Sequence, residues 1–138
     1  MNSSTKRKLE RFAKFIETLP RKAFGMNEWV NIPYSSEVKS VNKQTAFDCG
    51  TKCCLAGWEG IRRNKELTDN GTIVNRKPGE KRHVEDFARE SLGLTIEESF
   101  KLFLPGSWPY NNLSGREMFN ETPKGAAKRI RYFIKTGE

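Results

Sequence analysis

Cys49 is the residue whose type and neighbours best suit covalent chemistry. It follows Asp48 and precedes Gly50, at the expected start of a helix. Unpaired N–H groups there lower a thiol's pKa and favour the nucleophilic thiolate. A thiol nucleophile needs an imidazole within hydrogen-bond reach, and His83 is the single histidine of the chain. Asp86 or Glu85 would then orient that ring. The competing reading makes Cys49 and Cys54 small buried apolar residues, the usual fate of an intracellular cysteine. Helical spacing favours it, since Cys54, Leu55, Trp58 and Ile61 form one inward stripe.

Cys49, Cys53 and Cys54 are the three cysteines, an odd and tightly clustered set unlike a secreted disulfide framework. On one helix, Cys49 and Cys53 would hold their Cβ atoms about 5–6 Å apart, beyond the roughly 3.5–4.5 Å of a disulfide. Reduced thiols are expected. Adjacent Cys53 and Cys54 would point about 100° apart. They therefore do not converge with Cys49 and His83 as structural zinc requires, and the reading holds no metal and no cofactor.

The elements that must position these groups are mostly helical. Leu9, Phe12, Ala13, Ile16 and Leu19 recur at three and four, predicting a helix over 5–19, capped by Ser4 or Thr5 and stopped by Pro20. Residues 20–47 read as irregular, anchored by Phe24, Met26 and Trp29, with a short helix over 27–31 as an option. A second helix is expected over 48–64 with Asp48 as its cap. Its Gly57 costs about 1 kcal/mol against Ala, so it should admit a close neighbour such as the ring of Trp29 or Trp108. Residues 65–82 read as a loop with at most a short strand pair, a β-hairpin within 67–77. A third helix spans 84–92 and closes at Gly93. Thr95 and Glu98 form a capping box for a fourth, whose Ile96, Phe100, Phe103 and Leu104 should face inward. Thr122 and Pro123 open a last helix that buries Ala126, Ala127, Ile130, Phe133 and Ile134. The fold class is mainly α: one domain over 1–138, a small irregular bundle of four to five helices.

Charge is unevenly spread within the net +8. Residues 1–30 hold seven basic against three acidic side chains, residues 31–115 twelve against eleven, and residues 116–138 six against three. Both ends are basic. Arg7, Arg11 and Lys14 align on the first helix, and Lys124, Lys128, Arg131 and Lys135 on the last. Such stripes can grip phosphate backbones, although the solvated face of any amphipathic helix is polar anyway. Between the last two helices lies a loop with Trp108 and Tyr110, aromatic types favoured as interface anchors. Trp108 folding back to plug the bundle is the alternative. No run approaches the roughly 18 apolar residues of a membrane span, and residues 1–8 carry no apolar stretch after their charges. A cytoplasmic protein with no membrane partner is expected.

Three segments together carry a resemblance. They are Cys49-Gly50-Thr51-x-x-Cys54-x-x-Gly57-Trp58; Leu92-Gly93-Leu94-Thr95-x-Glu97-Glu98, followed by Leu102-Phe103 and Trp108-Pro109; and Thr122-Pro123 leading to Ala126-Ala127-x-Arg129-Ile130-Arg131-x-Phe133-Ile134. In this order they resemble a group of small uncharacterised bacteriophage and bacterial proteins, which implies a shared fold and a phage or mobile-element setting. A narrower likeness joins Asp48-Cys49-Gly50 and Cys54-Leu55-Ala56 to the nucleophile segment of papain-like peptidases that process bacteriocin leaders. That likeness implies a catalytic Cys49 and gives Gln44 the oxyanion role, one residue nearer than in that family.

The favoured function is a non-enzymatic phage-type accessory protein that binds a host macromolecule. A host protein or protein complex is the expected partner, with interference in a defence or regulatory complex as the expected role. Nucleic-acid binding through the first and last helices is the alternative, and a cysteine-dependent hydrolase the second alternative.

Overall fold

The computed structural model describes residues 1–33, 37–47, 50–111 and 116–138, and only the backbone of Tyr110, Asn111, Arg116 and Glu117. The architecture is mainly α, five helices with short antiparallel strand pairs.

Helix α1 (Ser3–Glu17) starts two residues earlier than its apolar stripe predicts, because Asn2 is the cap: its Oδ1 accepts the Thr5 N–H at 2.8 Å. Leu9, Phe12, Ala13 and Ile16 are fully buried. Helix α5 (Pro123–Thr136) begins as its sequence requires, with the Thr122 hydroxyl accepting the Gly125 N–H, and it ends at the left-handed Gly137. These two helices make the most extensive helix–helix contact of the fold.

Between them the chain folds back on a short central helix, α2 (Leu55–Arg62). The helix expected from residue 48 does not form over that span. Gly50 takes φ 75°, a left-handed turn that leads the chain out of helical geometry. Lys52–Cys53 (β3) then pairs antiparallel with Val30–Asn31 (β1), so Cys53 belongs to a strand and Cys54, extended, caps α2. This pairing also replaces the optional helix over 27–31. Every residue of α2 from Leu55 to Ile61 is buried, which makes it the hub of the core. Gly57 admits a close neighbour, but it is the backbone of Trp29 and not an indole ring: a Cβ there would stand 2.1 Å from the Trp29 carbonyl oxygen. The visitor is backbone, so no larger residue fits.

Ser40–Val41 (β2) pairs antiparallel with Leu67–Thr68 (β4), and Tyr110–Asn111 (β5) with Arg116–Glu117 (β6). Residues 65–82 are tied into the body. Leu67 bridges Ile73 across the Gly71 turn, Thr72 bridges His83, and buried Lys65 pairs with Glu80 at 2.5 Å.

Helix α3 (Val84–Leu92) ends at left-handed Gly93, and helix α4 (Ile96–Phe103) carries the complete Thr95–Glu98 capping box. The face that α4 buries differs from the expected one. Ser99, Leu102 and Phe103 turn inward, while Ile96, Phe100 and Leu104 are 56%, 44% and 39% exposed. Two local bonds allow this register. The Ser99 hydroxyl donates to its own helix at Ile96 O, 2.7 Å, so it is buried without an orphaned donor. Trp108, 2% exposed, donates its indole N–H to Leu102 O at 3.0 Å and covers the inner side.

Candidate functional site

Of the residues proposed for thiol chemistry, His83 and Asp86 are held in other duties. His83 caps α3: its Nδ1 accepts the Glu85 N–H at 3.1 Å, and its Nε2 lies 2.8 Å from Asn70 O. An accepting Nδ1 places the proton on Nε2, where Asn70 O receives it. Neither nitrogen is left to serve as a base. Asp86 accepts from Arg89 at 3.0 Å rather than orienting His83. Gln44 is exposed in a turn, its backbone N–H bonded to Asn42 Oδ1. Cys49 and its neighbour Asp48 lie outside the described residues. Cys53 and Cys54 are buried, and burial pushes the Cys54 thiol up to about 11, opposite to what a nucleophile needs. Among the described residues no cluster of three His, Cys, Asp or Glu side chains could hold a metal ion.

The basic stripes sort into two kinds of residue. Arg7, Arg11 and Lys14 of α1 and Lys124, Lys128 and Lys135 of α5 are exposed, opposite the buried faces of their helices. Arg131 is not free. Its guanidinium grips both oxygens of Glu17 at 2.7 and 3.1 Å and reaches Glu10 at 3.1 Å, closing the α1–α5 seam. The hydrogen bond from Arg131 holds the Glu17 carboxyl below its ordinary value, and Glu17 in turn raises Arg131. Arg129, part of the third of the segments that carry the resemblance, is fully buried. It donates to Lys101 O at 3.0 Å and Glu138 O at 2.7 Å, joining α4 to α5, and burial lowers its pKa to about 10.

The aromatic loop does not present its tryptophan. Trp108 plugs the core, as the alternative reading expects, and the side chain of Tyr110 lies outside the description.

Two surfaces remain that could receive a partner. The first is α4. Ile96, Phe100 and Leu104 recur every four residues and so share one face. The face runs toward a cleft of about 520 Å³ at the end of α4, lined by Leu104, Pro105, Trp29 and Met26. Its charged lining is Glu28 and Asp69, each holding one neutral neighbour, Asn31 and the Ile32 N–H respectively. The second is a cleft of about 550 Å³ between the end of α1 and the start of α5, lined by Arg21, Lys124 and Lys128 beside Leu19, Met118 and Phe119.

The chain matches no family model, no curated protein and no solved structure. No helix among the described residues is long and apolar enough to cross a membrane.

Sequence reasoning missed Phe100 as a surface residue, the carboxylate pair Glu28 and Asp69, and Arg21. For α4 a signal existed: Ser99, Leu102 and Phe103 fall at three and four and offer a second stripe. Glu28 and Asp69 are brought together at one cleft by tertiary folding, and Arg21 meets Lys124 and Lys128 at the other in the same way, so none leaves a spacing to read.

Proposed function

We propose that this protein is a non-enzymatic accessory factor that docks on a partner protein through the exposed face of α4. The observation that carries the reading is the row of Ile96 and Phe100 on α4 and Leu104 just past its end, large apolar side chains left in water on a helix with a complete N-terminal capping box. Contiguous apolar surface of this kind mark protein contacts more often than chance. The occupant is a helical or extended segment bearing apolar residues and Lys or Arg. It lays the apolar side on the α4 row and sets its cations against Glu28 and Asp69. On a chain of net +8, an apolar cleft whose charged lining is all acidic selects such a segment.

The resemblance to small phage proteins supplies the setting: a phage-encoded factor in the host cytoplasm, acting on a host protein or complex, with defence and regulatory assemblies as the target class. A second reading, nucleic-acid binding, draws on Arg7, Arg11 and Lys14 of α1 and Lys124, Lys128 and Lys135 of α5 and no longer includes Arg131, which is spent on the helix seam.

The test is affinity capture from bacterial lysate with and without nuclease, comparing wild type with F100E. A discrete protein kept after nuclease, lost with F100E, and bound through a basic amphipathic segment on a peptide array supports docking. Capture that F100E leaves unchanged, or that nuclease removes, overturns it in favour of the second reading.

A further inference from the structure

The cleft between α1 and α5 has a chemistry distinct from that of the α4 face. At about 550 Å³ it lies in the size range of small-molecule sites. Arg21, Lys124 and Lys128 line it, all three are exposed, and none forms an ion pair among the described residues. Lys124 and Lys128 stand one helical turn apart on the same face of α5. Glu17 also lines the cleft, but both of its oxygens are bonded to Arg131, so its charge is already compensated. Among the described residues none of the three cations has a carboxylate partner. Beside them stands an apolar wall of Leu19, Met118 and Phe119; Met118 is about half exposed, and the Phe119 ring is braced by Tyr132 at 5.3 Å.

We propose that this cleft binds a nucleotide, its phosphate held by Arg21, Lys124 and Lys128 and its base laid against Met118 and Phe119. A phosphate concentrates negative charge at one point that several cations can share, and a guanidinium fork matches its oxygens. A planar base stacks on an aromatic ring irrespective of sequence. The cleft would accept a free nucleotide or one unit of a single strand, and it needs neither the α1 stripe nor the α4 face. It sits at the first turn of α5, whereas α5 meets α4 farther along, where Arg129 and Gly137 bond Lys101.

The experiment measures anisotropy of a fluorescently labelled single-stranded oligonucleotide at low salt, with AMP, inorganic phosphate and a polyglutamate peptide as competitors. R21A and K128A should each weaken binding about five- to tenfold, while R7A and K135A, which remove the same charge outside the cleft, change it less than about twofold. Arg131→Gln, which frees Glu17 to face the cleft, should weaken binding about threefold. The double variant E17Q/R131Q should restore it, a rescue that a purely structural role of Arg131 would not give. F119L should lower affinity for the oligonucleotide and leave inorganic phosphate unaffected. Competition by AMP identifies a free-nucleotide site; cleft-dependent oligonucleotide binding that AMP fails to displace identifies a strand site. Equal losses in R7A, K135A, R21A and K128A would show diffuse attraction and overturn the proposal. So would competition by phosphate or polyglutamate as strong as by AMP in the absence of oligonucleotide specificity, or no binding at all.

Discussion

Helices α4 and α5 carry similar amphipathic patterns and end in opposite situations. In α5 the row Ala126, Ala127, Ile130 and Phe133 is buried against α1 and the core. In α4 Ile96 and Phe100, with Leu104 just past the helix end, meet water, and the helix turns a serine inward instead. The difference is what lies opposite. Helix α5 has a full-length neighbour in α1, held in register by Arg131. Helix α4 is pinned from within, by Trp108 on Leu102 O and Arg129 on Lys101 O, and those bonds choose its inner face. A 3.6-residue period identifies an apolar stripe, while the surrounding elements decide whether it is covered.

Truncation is the strongest way to break this comparison. F133A in α5 should cost about 3–5 kcal/mol of unfolding free energy in urea titration. S99L in α4 comes next, costing about 1–3 kcal/mol by overpacking a buried site, although hydrophobicity alone would make it stabilising. T95A and T122A, which remove the caps of the two helices, should each cost about 1 kcal/mol, because capping is local and blind to what covers the helix. Below these, F100S should move stability by no more than about 0.5 kcal/mol. A loss as large as that of F133A would mean that Phe100 is part of the core and would remove the docking surface.

The smallest effect is also the one that depends on pH. Arg131 holds Glu17 below its ordinary value of 4.5, so the pair contributes stability above that pH and loses it as pH falls through the lower folded-state value. R131A should melt below wild type at neutral pH. The gap in Tm should narrow as the solution is acidified below 4.5, and added salt should narrow it too. A gap independent of pH would mean that Arg131 acts by packing alone.

These contrasts also mark what a sequence can disclose here. The starts of α4 and α5 were legible because a cap is a bond between residues three apart, Thr95 with Glu98 and Thr122 with Gly125, whereas the cap of α3, His83 with Glu85, was not recognised because His83 was read as a base. The start of α2 was not, because it depends on Lys52 and Cys53 pairing with Asn31 and Val30 some twenty residues away. The buried stripe of α5 was legible and that of α4 was misassigned for the reason given above. Of the site residues, the exposed cations of α1 and α5 could be read from spacing. Arg131 looked equivalent to Lys128 because its partners, Glu10 and Glu17, lie at the other end of the chain.

That last pairing has a consequence during synthesis. Glu17 and Arg131 are 114 residues apart, so α1 leaves the ribosome long before its partner helix exists. At about 5–20 residues per second the wait is roughly 6–23 s. Through that interval Leu9, Phe12 and Ile16 have no α5 to cover them. The charges flanking that stripe, Lys6, Arg7, Lys8, Arg11 and Lys14, then act as gatekeepers that keep nascent chains from sticking to one another until the bundle can close.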